Sequence, residues 1–141
     1  MTMPTRNVYL EQSIQTASPA RLVLALYDGA IGAVERATEA LAPAGSPAGS
    51  PAGSEEAVRL EPGRTHEVAH KELVRAQNIL TELRYSLDHD RGGVIAANLD
   101  SLYTWCLAQL LDANVAKDAS GLPPVQKVLA DLRDAWFTAC C

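Results

Sequence analysis

The feature that most constrains this chain is the spacing of its apolar side chains, which recur at intervals of four and three residues in four separate stretches. Such a rhythm lays one apolar seam along an α-helix, whereas a half-buried strand needs strict apolar–polar alternation, which no stretch shows. The first seam is Val23, Tyr27, Ala30, Val34, Ala37 and Leu41, and the second is Ala69, Leu73, Ala76, Leu80, Leu83 and Leu87. Ile95, Leu99, Leu102, Cys106, Leu110 and Ala113 make the third; Val125, Leu129, Leu132, Trp136 and Ala139 make the fourth. Four seams joined mostly by short turns predict an all-α fold, an antiparallel four-helix bundle.

Punctuation residues place the boundaries. Ser18 can accept from the first free helical N–H groups and Pro19 suits the first helical position, so the first helix begins near Pro19. The second is expected from Thr65 to about Leu87, with the polar stretch from Asp88 to Gly93 as a turn and the double glycine as its terminator. The third runs from about Val94 to Lys117, and Ser120, Gly121 and the pair Pro123-Pro124 restart the chain into the fourth.

Two segments fall outside this pattern. Residues 1–17 are polar with isolated apolar side chains and read as an N-terminal arm ahead of the bundle at 18–141. Between the first two helices Pro-Ala-Gly-Ser repeats three times from Pro43 to Ser54, the centre of a low-complexity loop at 43–64. Proline every fourth residue forbids helix there, and no side chain larger than alanine is on offer to pack.

Composition narrows the partners. At 141 residues and 48% hydrophobic content the chain is one domain with enough apolar material for a core. A net charge of -5 with scattered basic residues argues against nucleic acid. No apolar run reaches the ~20 residues of a membrane span, and the first residues lack a signal peptide's apolar core, so the expected compartment is the cytoplasm. Of three cysteines, Cys106 reads as a small buried hydrophobe, while Cys140 and Cys141 form a C-terminal pair open to adventitious oxidation or metal.

One chemical motif needs weighing. His66-Glu67-Val68-Ala69-His70 matches H-E-x-x-H, which places two imidazoles on one helical face beside a glutamate that can activate zinc-bound water. A catalytic zinc needs a third protein ligand, and the extended motif wants glycine and histidine where Leu73 and Ala76 stand. The zinc-peptidase reading is therefore the remote one, and neither catalysis nor a cofactor is expected. The informative surplus is apolar instead: Leu22, Leu24 and Leu26 lie off the first seam, and Tyr103, Trp105, Leu107 and Leu111 broaden the third. A helix with more than one apolar stripe packs on two sides or keeps one for a partner.

The arm N-V-Y-L-E-Q-S-I-Q leading into Thr16-Ala17-Ser18-Pro19, then L-x-x-x-L-Y-D-G-A-I from Leu22 to Ile31, closely resembles the bacterial flagellin-specific export chaperones. The likeness continues in Arg75-Ala76-Gln77-Asn78-Ile79-Leu80, in Asn98-Leu99 through Leu102-Tyr103, in Ala113-Asn114-Val115 and in Leu132-Arg133-Asp134-Ala135-Trp136. The resemblance implies a cytosolic bundle that binds the C-terminal segment of flagellin, prevents its premature polymerisation and aids delivery to the flagellar type III secretion apparatus. Export-gate components or a co-chaperone would be further partners, with neither nucleic acid nor membrane insertion involved.

Carried onto this chain, the resemblance makes Tyr9 and Ile14 arm residues that cover the client surface, and Leu22, Leu26, Tyr27, Leu99, Tyr103 and Leu107 candidates for its walls. Asn78 and Asn98, with Asn114, are candidate amide contacts to a client backbone. Two departures stand out: the repetitive loop, and Thr104-Trp105-Cys106-Leu107 where the family tends to a cluster of tyrosines. The alternative reading is a helical-bundle adaptor for another secreted or regulatory protein.

Overall fold

The computed structural model describes residues 18–42 and 62–140, with side chains of the second segment described from residue 65. These residues form four helices, α1 (Pro19–Leu41), α2 (Pro62–Tyr85), α3 (His89–Ala116) and α4 (Leu122–Cys140), and no strand. Tyr9 and Ile14, the arm that carries them, and the Pro-Ala-Gly-Ser repeats lie outside the described residues.

Neighbouring helices run antiparallel, and side-chain pairs set the register. Ile79 lies against Gly29 while Arg36 pairs with Glu72 at 3.0 Å, so α2 descends as α1 climbs. Arg84 bonds Asp100 and His70 bonds Asn114, which reverses α3 against α2. Arg133 donates to Asp28 at 2.9 Å and the Trp136 indole to the Ala20 carbonyl at 2.8 Å, which closes α4 onto α1. The core is Tyr27, Ala30, Ala33, Val34 and Ala37 of α1, Leu73, Ala76, Leu80 and Leu83 of α2, Tyr103, Cys106, Leu110 and Ala113 of α3, and Leu122, Val125 and Leu129 of α4. Every one of these is nearly or wholly excluded from water, the source of the drive to assemble.

Ser18 caps α1 as its residue type dictates, its hydroxyl accepting from the Arg21 N–H at 3.3 Å. Three expectations need correction. First, α2 begins at Pro62, three residues before Thr65, with the proline in the first turn where its missing N–H costs nothing. Second, the double glycine does not end α2. That helix stops at Tyr85, and the Asp88 carboxylate captures the Asp90 and Arg91 N–H groups at 3.1 and 3.0 Å and starts α3 at once. Gly93 then sits inside α3 at φ 51°, ψ -122°, a conformation open to glycine alone, and kinks its first turn from the rest.

Third, the inward row of α3 is Ala96, Leu99, Tyr103, Cys106, Leu110 and Ala113, not the row containing Ile95 and Leu102. Tyr103 turns inward because its hydroxyl meets that of Tyr27 at 2.5 Å, across the bundle between helices that run parallel. With that bond made, a side chain that looked half-polar becomes core material.

Candidate functional site

A surface built to receive another chain should show large apolar side chains where two helices fail to cover each other. Of the four pairs of neighbouring helices, α1–α2 is the most extensive contact and α3–α4 the sparsest. The α3–α4 seam therefore leaves side chains uncovered.

Its α3 wall follows from helical spacing. Ile95, Asn98, Leu102, Trp105, Gln109 and Asp112 lie at intervals of three and four and share one row. Gly121, in the turn just before α4, identifies the neighbour which that row faces, since a Cβ there would stand 3.0 Å from the Gln109 side-chain oxygen. Ile95 is 70% exposed, Trp105 38% and Leu102 36%. Val128, Leu132, Ala135 and Ala139 form the opposing row of α4, with Gly121 in the turn just before it; Val128 and Leu132 are half-buried against the core, while Ala135 and Ala139 are exposed. Between Arg91 and Lys117, α3 carries no basic side chain, and of its two carboxylates there only Asp112 is on this row. The result is an apolar strip, wettest at the Ile95 end, with the Asn98 and Gln109 amides as its polar groups.

The residues singled out from sequence do not form one surface. Asn98 is exposed on this row. Leu22 and Leu26, both half-buried, share a row with Gly29, Ala33 and Arg36 and so face α2. Leu107 lies midway between Asp100 and Asn114, both bonded to α2, and packs half-buried on that flank. Leu99 is half-buried against the core, Tyr27 and Tyr103 are 3% and 2% exposed within it, and Asn78 is exposed on α2. By sequence, Ile95 and Leu102 belong to the helix's own seam and Trp105 to its undivided apolar surplus. The signal that separates them is the fully apolar row one residue away, Ala96, Leu99, Tyr103 and Cys106, which satisfies the core without them.

Electrostatics beneath the strip favour neutral groups. Burial pushes the Tyr27 and Tyr103 hydroxyls above their ordinary range, and it raises the Cys106 thiol to about 11. All three stay protonated at neutral pH. On the α2–α3 flank the Arg84 guanidinium holds the Asp100 carboxyl below the usual carboxylate range, with the bond to Arg84 the largest cause. In the H-E-x-x-H stretch, His66 and Glu67 are exposed and His70 bonds Asn114. Among the described residues no three His, Cys, Asp or Glu side chains converge as metal ligands, and no helix is long and apolar enough to cross a membrane.

The family model described as flagellar protein FliS matches residues 1–140. The flagellar secretion chaperone FliS of Salmonella typhimurium is 33% identical, over 92% of this chain and 82% of that protein. FliS of Bacillus subtilis is 27% identical over 94% and 84% of the two chains, and FliSB of Pseudomonas aeruginosa 28% over 93% and 88%; both are named flagellar secretion chaperones. The described residues form an all-helical bundle and the family match spans it from end to end, so this chain belongs to the flagellar protein FliS family.

Proposed function

We propose that this chain is a flagellar secretion chaperone of the cytosol, without catalytic chemistry, that holds the C-terminal segment of flagellin and so keeps it from polymerising before export. The observation that carries the reading is the α3–α4 strip: Ile95, Leu102 and Trp105 stand open to water beside Val128 and Leu132, where the bundle's own packing is thinnest. An amphipathic client helix lays apolar side chains at helical spacing into such a strip, and the buried area offsets its ordering cost. Leu22, Leu26, Asn78 and Leu107 serve a client that wraps over further flanks. Tyr27, Leu99 and Tyr103 act from beneath by fixing where α1 and α3 stand. Tyr9 and Ile14 of the arm cover the surface before the client arrives, and export-gate components or a co-chaperone engage the loaded complex.

Titration calorimetry of the full chain against the C-terminal segment of its organism's flagellin tests the reading. A saturable one-to-one complex with a negative heat-capacity change is expected, the signature of apolar burial. Binding unaffected by Trp105→Ala would remove the strip from the site; no binding by folded protein would make the chain an adaptor for another client.

A further inference from the structure

The α3–α4 strip is apolar for most of its length and ends on a single charge. Asp112 closes its α3 row two turns beyond Trp105, about 10 Å along the helix axis, and is exposed near the end of α3. Two turns from Trp105 in the other direction the row carries Asn98, a neutral amide. The strip is therefore asymmetric about its tryptophan, with a carboxylate on one side and an amide at the same distance on the other.

That carboxylate is uncompensated. Asp100, the other acidic residue of α3 beyond Gly93, pairs with Arg84, and the two of α4 are paired as well, Asp131 with Lys127 at 3.2 Å and Asp134 with Arg133 at 3.5 Å. Among the described residues Asp112 alone of these four has no ion pair. Lys117, the cation nearest to it in sequence, turns to the α2 flank, where its ammonium lies 2.5 Å from the Asn114 side-chain oxygen. The start of α4 offers no remedy, since Pro123 and Pro124 lack N–H groups and the Leu122 N–H already bonds the Ala119 carbonyl at 3.0 Å.

In water a bare carboxylate costs nothing, but a helix seated on Trp105 covers that end of the strip and takes water from it. A covered carboxylate without a partner is unfavourable, and one facing another acid is worse. We propose, on the reading of the strip as the client site, that Asp112 sets the direction and register of the docked helix by selecting a client with a lysine or arginine two turns from the apolar residue it seats on Trp105. Laid the other way round, the same helix brings its cation to Asn98 and leaves Asp112 covered and unpaired. The wrong orientation is thus penalised as well as the right one favoured.

The test is calorimetry of the full chain against the C-terminal segment of its organism's flagellin at about 50 mM and about 500 mM salt. Asp112→Asn should weaken binding about three- to fivefold at low salt and Asp112→Lys about tenfold, both losses shrinking below about twofold at high salt. Next, each lysine and arginine of the segment is replaced by glutamine in turn. One replacement should weaken binding to wild type as Asp112→Asn does and cost nothing further against Asp112→Asn, and a glutamate at that position should restore binding to Asp112→Lys. Asp112 is exposed, so thermal melts of the variants should match wild type. If Asp112→Asn binds like wild type at low salt, or no basic position of the segment couples to Asp112, the selection by charge is refuted while the strip stands, provided Trp105→Ala still weakens binding. Failure of wild type to bind, or indifference to Trp105→Ala, overturns the strip and this inference with it.

Discussion

The α1–α2 and α3–α4 pairs are both antiparallel helices in one bundle, yet they are put together for opposite ends. Between α1 and α2 the facing side chains are small: Ala33, Ala37, Ala69 and Ala76 are fully buried, and a Cβ on Gly29 would lie 3.3 Å from the Ile79 methyl. Close approach there buries these alanines completely, leaves Leu22 and Leu26 only half-covered towards the start of α1, and puts Arg36 against Glu72 at the edge. Between α3 and α4 the α3 row is large-sided while the α4 side offers Gly121, Ala135 and Ala139 beside Val128 and Leu132, and Ile95, Leu102 and Trp105 keep exposed surface. Small residues let helices satisfy each other; large ones spaced apart leave apolar area for a third party. Under the proposed function, the difference separates a pair that holds the fold from a pair that receives a client.

The comparison breaks if truncation affects both pairs alike. Leu73→Ala, in the closed half, should cost about 2–5 kcal/mol in urea unfolding, through lost transfer free energy and the cavity left behind. A loss below about 1 kcal/mol would mean that the core collapses around it. The tyrosine bond between the halves comes next. Tyr27→Phe or Tyr103→Phe alone strands the partner's hydroxyl and should cost about 1–3 kcal/mol, whereas the double replacement should cost less than the sum of the two. Additive losses would show that the 2.5 Å contact contributes nothing of its own.

Trp105→Ala, in the open half, should lower client affinity about tenfold, or about 1.4 kcal/mol, while unfolding changes by less than about 1 kcal/mol. A loss of stability larger than the loss of affinity would make Trp105 core. The smallest effect belongs to Asp100. Its carboxyl is held below the ordinary range by Arg84, so its contribution is present above the usual carboxylate range and disappears as pH falls through that range and below it. Asp100→Asn should therefore slightly narrow the gap in stability between neutral and acid pH, seen as a shallower acid limb in pH-dependent melts.

Helix number and order were legible because α1 and α2 each offer one inward row, and the cap at Ser18 and prolines at helix starts mark beginnings that side-chain chemistry alone dictates. In α3 two adjacent rows are both apolar at the same spacing. Periodicity cannot say which faces in, so Ile95 and Leu102 took the place of Ala96 and Tyr103. What decides is a partner hydroxyl 76 residues away in sequence, and no local pattern carries that information. The end of α2 was misjudged for a related reason: glycines usually stop helices, but the Asp88 carboxylate acted first, and Gly93 was needed for a bend instead. The α3–α4 strip was legible only as excess, since its walls come from α3 and α4 and sequence does not show which neighbouring helices leave a gap.

The chain's two tryptophans fall on either side of this division. Trp136 is half-buried with its indole N–H fixed to the Ala20 carbonyl, and Trp105 stands in the open strip. The native emission spectrum is thus a sum of two colours with separate meanings. The bluer Trp136 component should hold steady until α4 parts from α1, and the redder Trp105 component should shift as soon as the strip is covered. Subtracting the spectrum of Trp105→Phe would let one unlabelled sample report occupancy and integrity together.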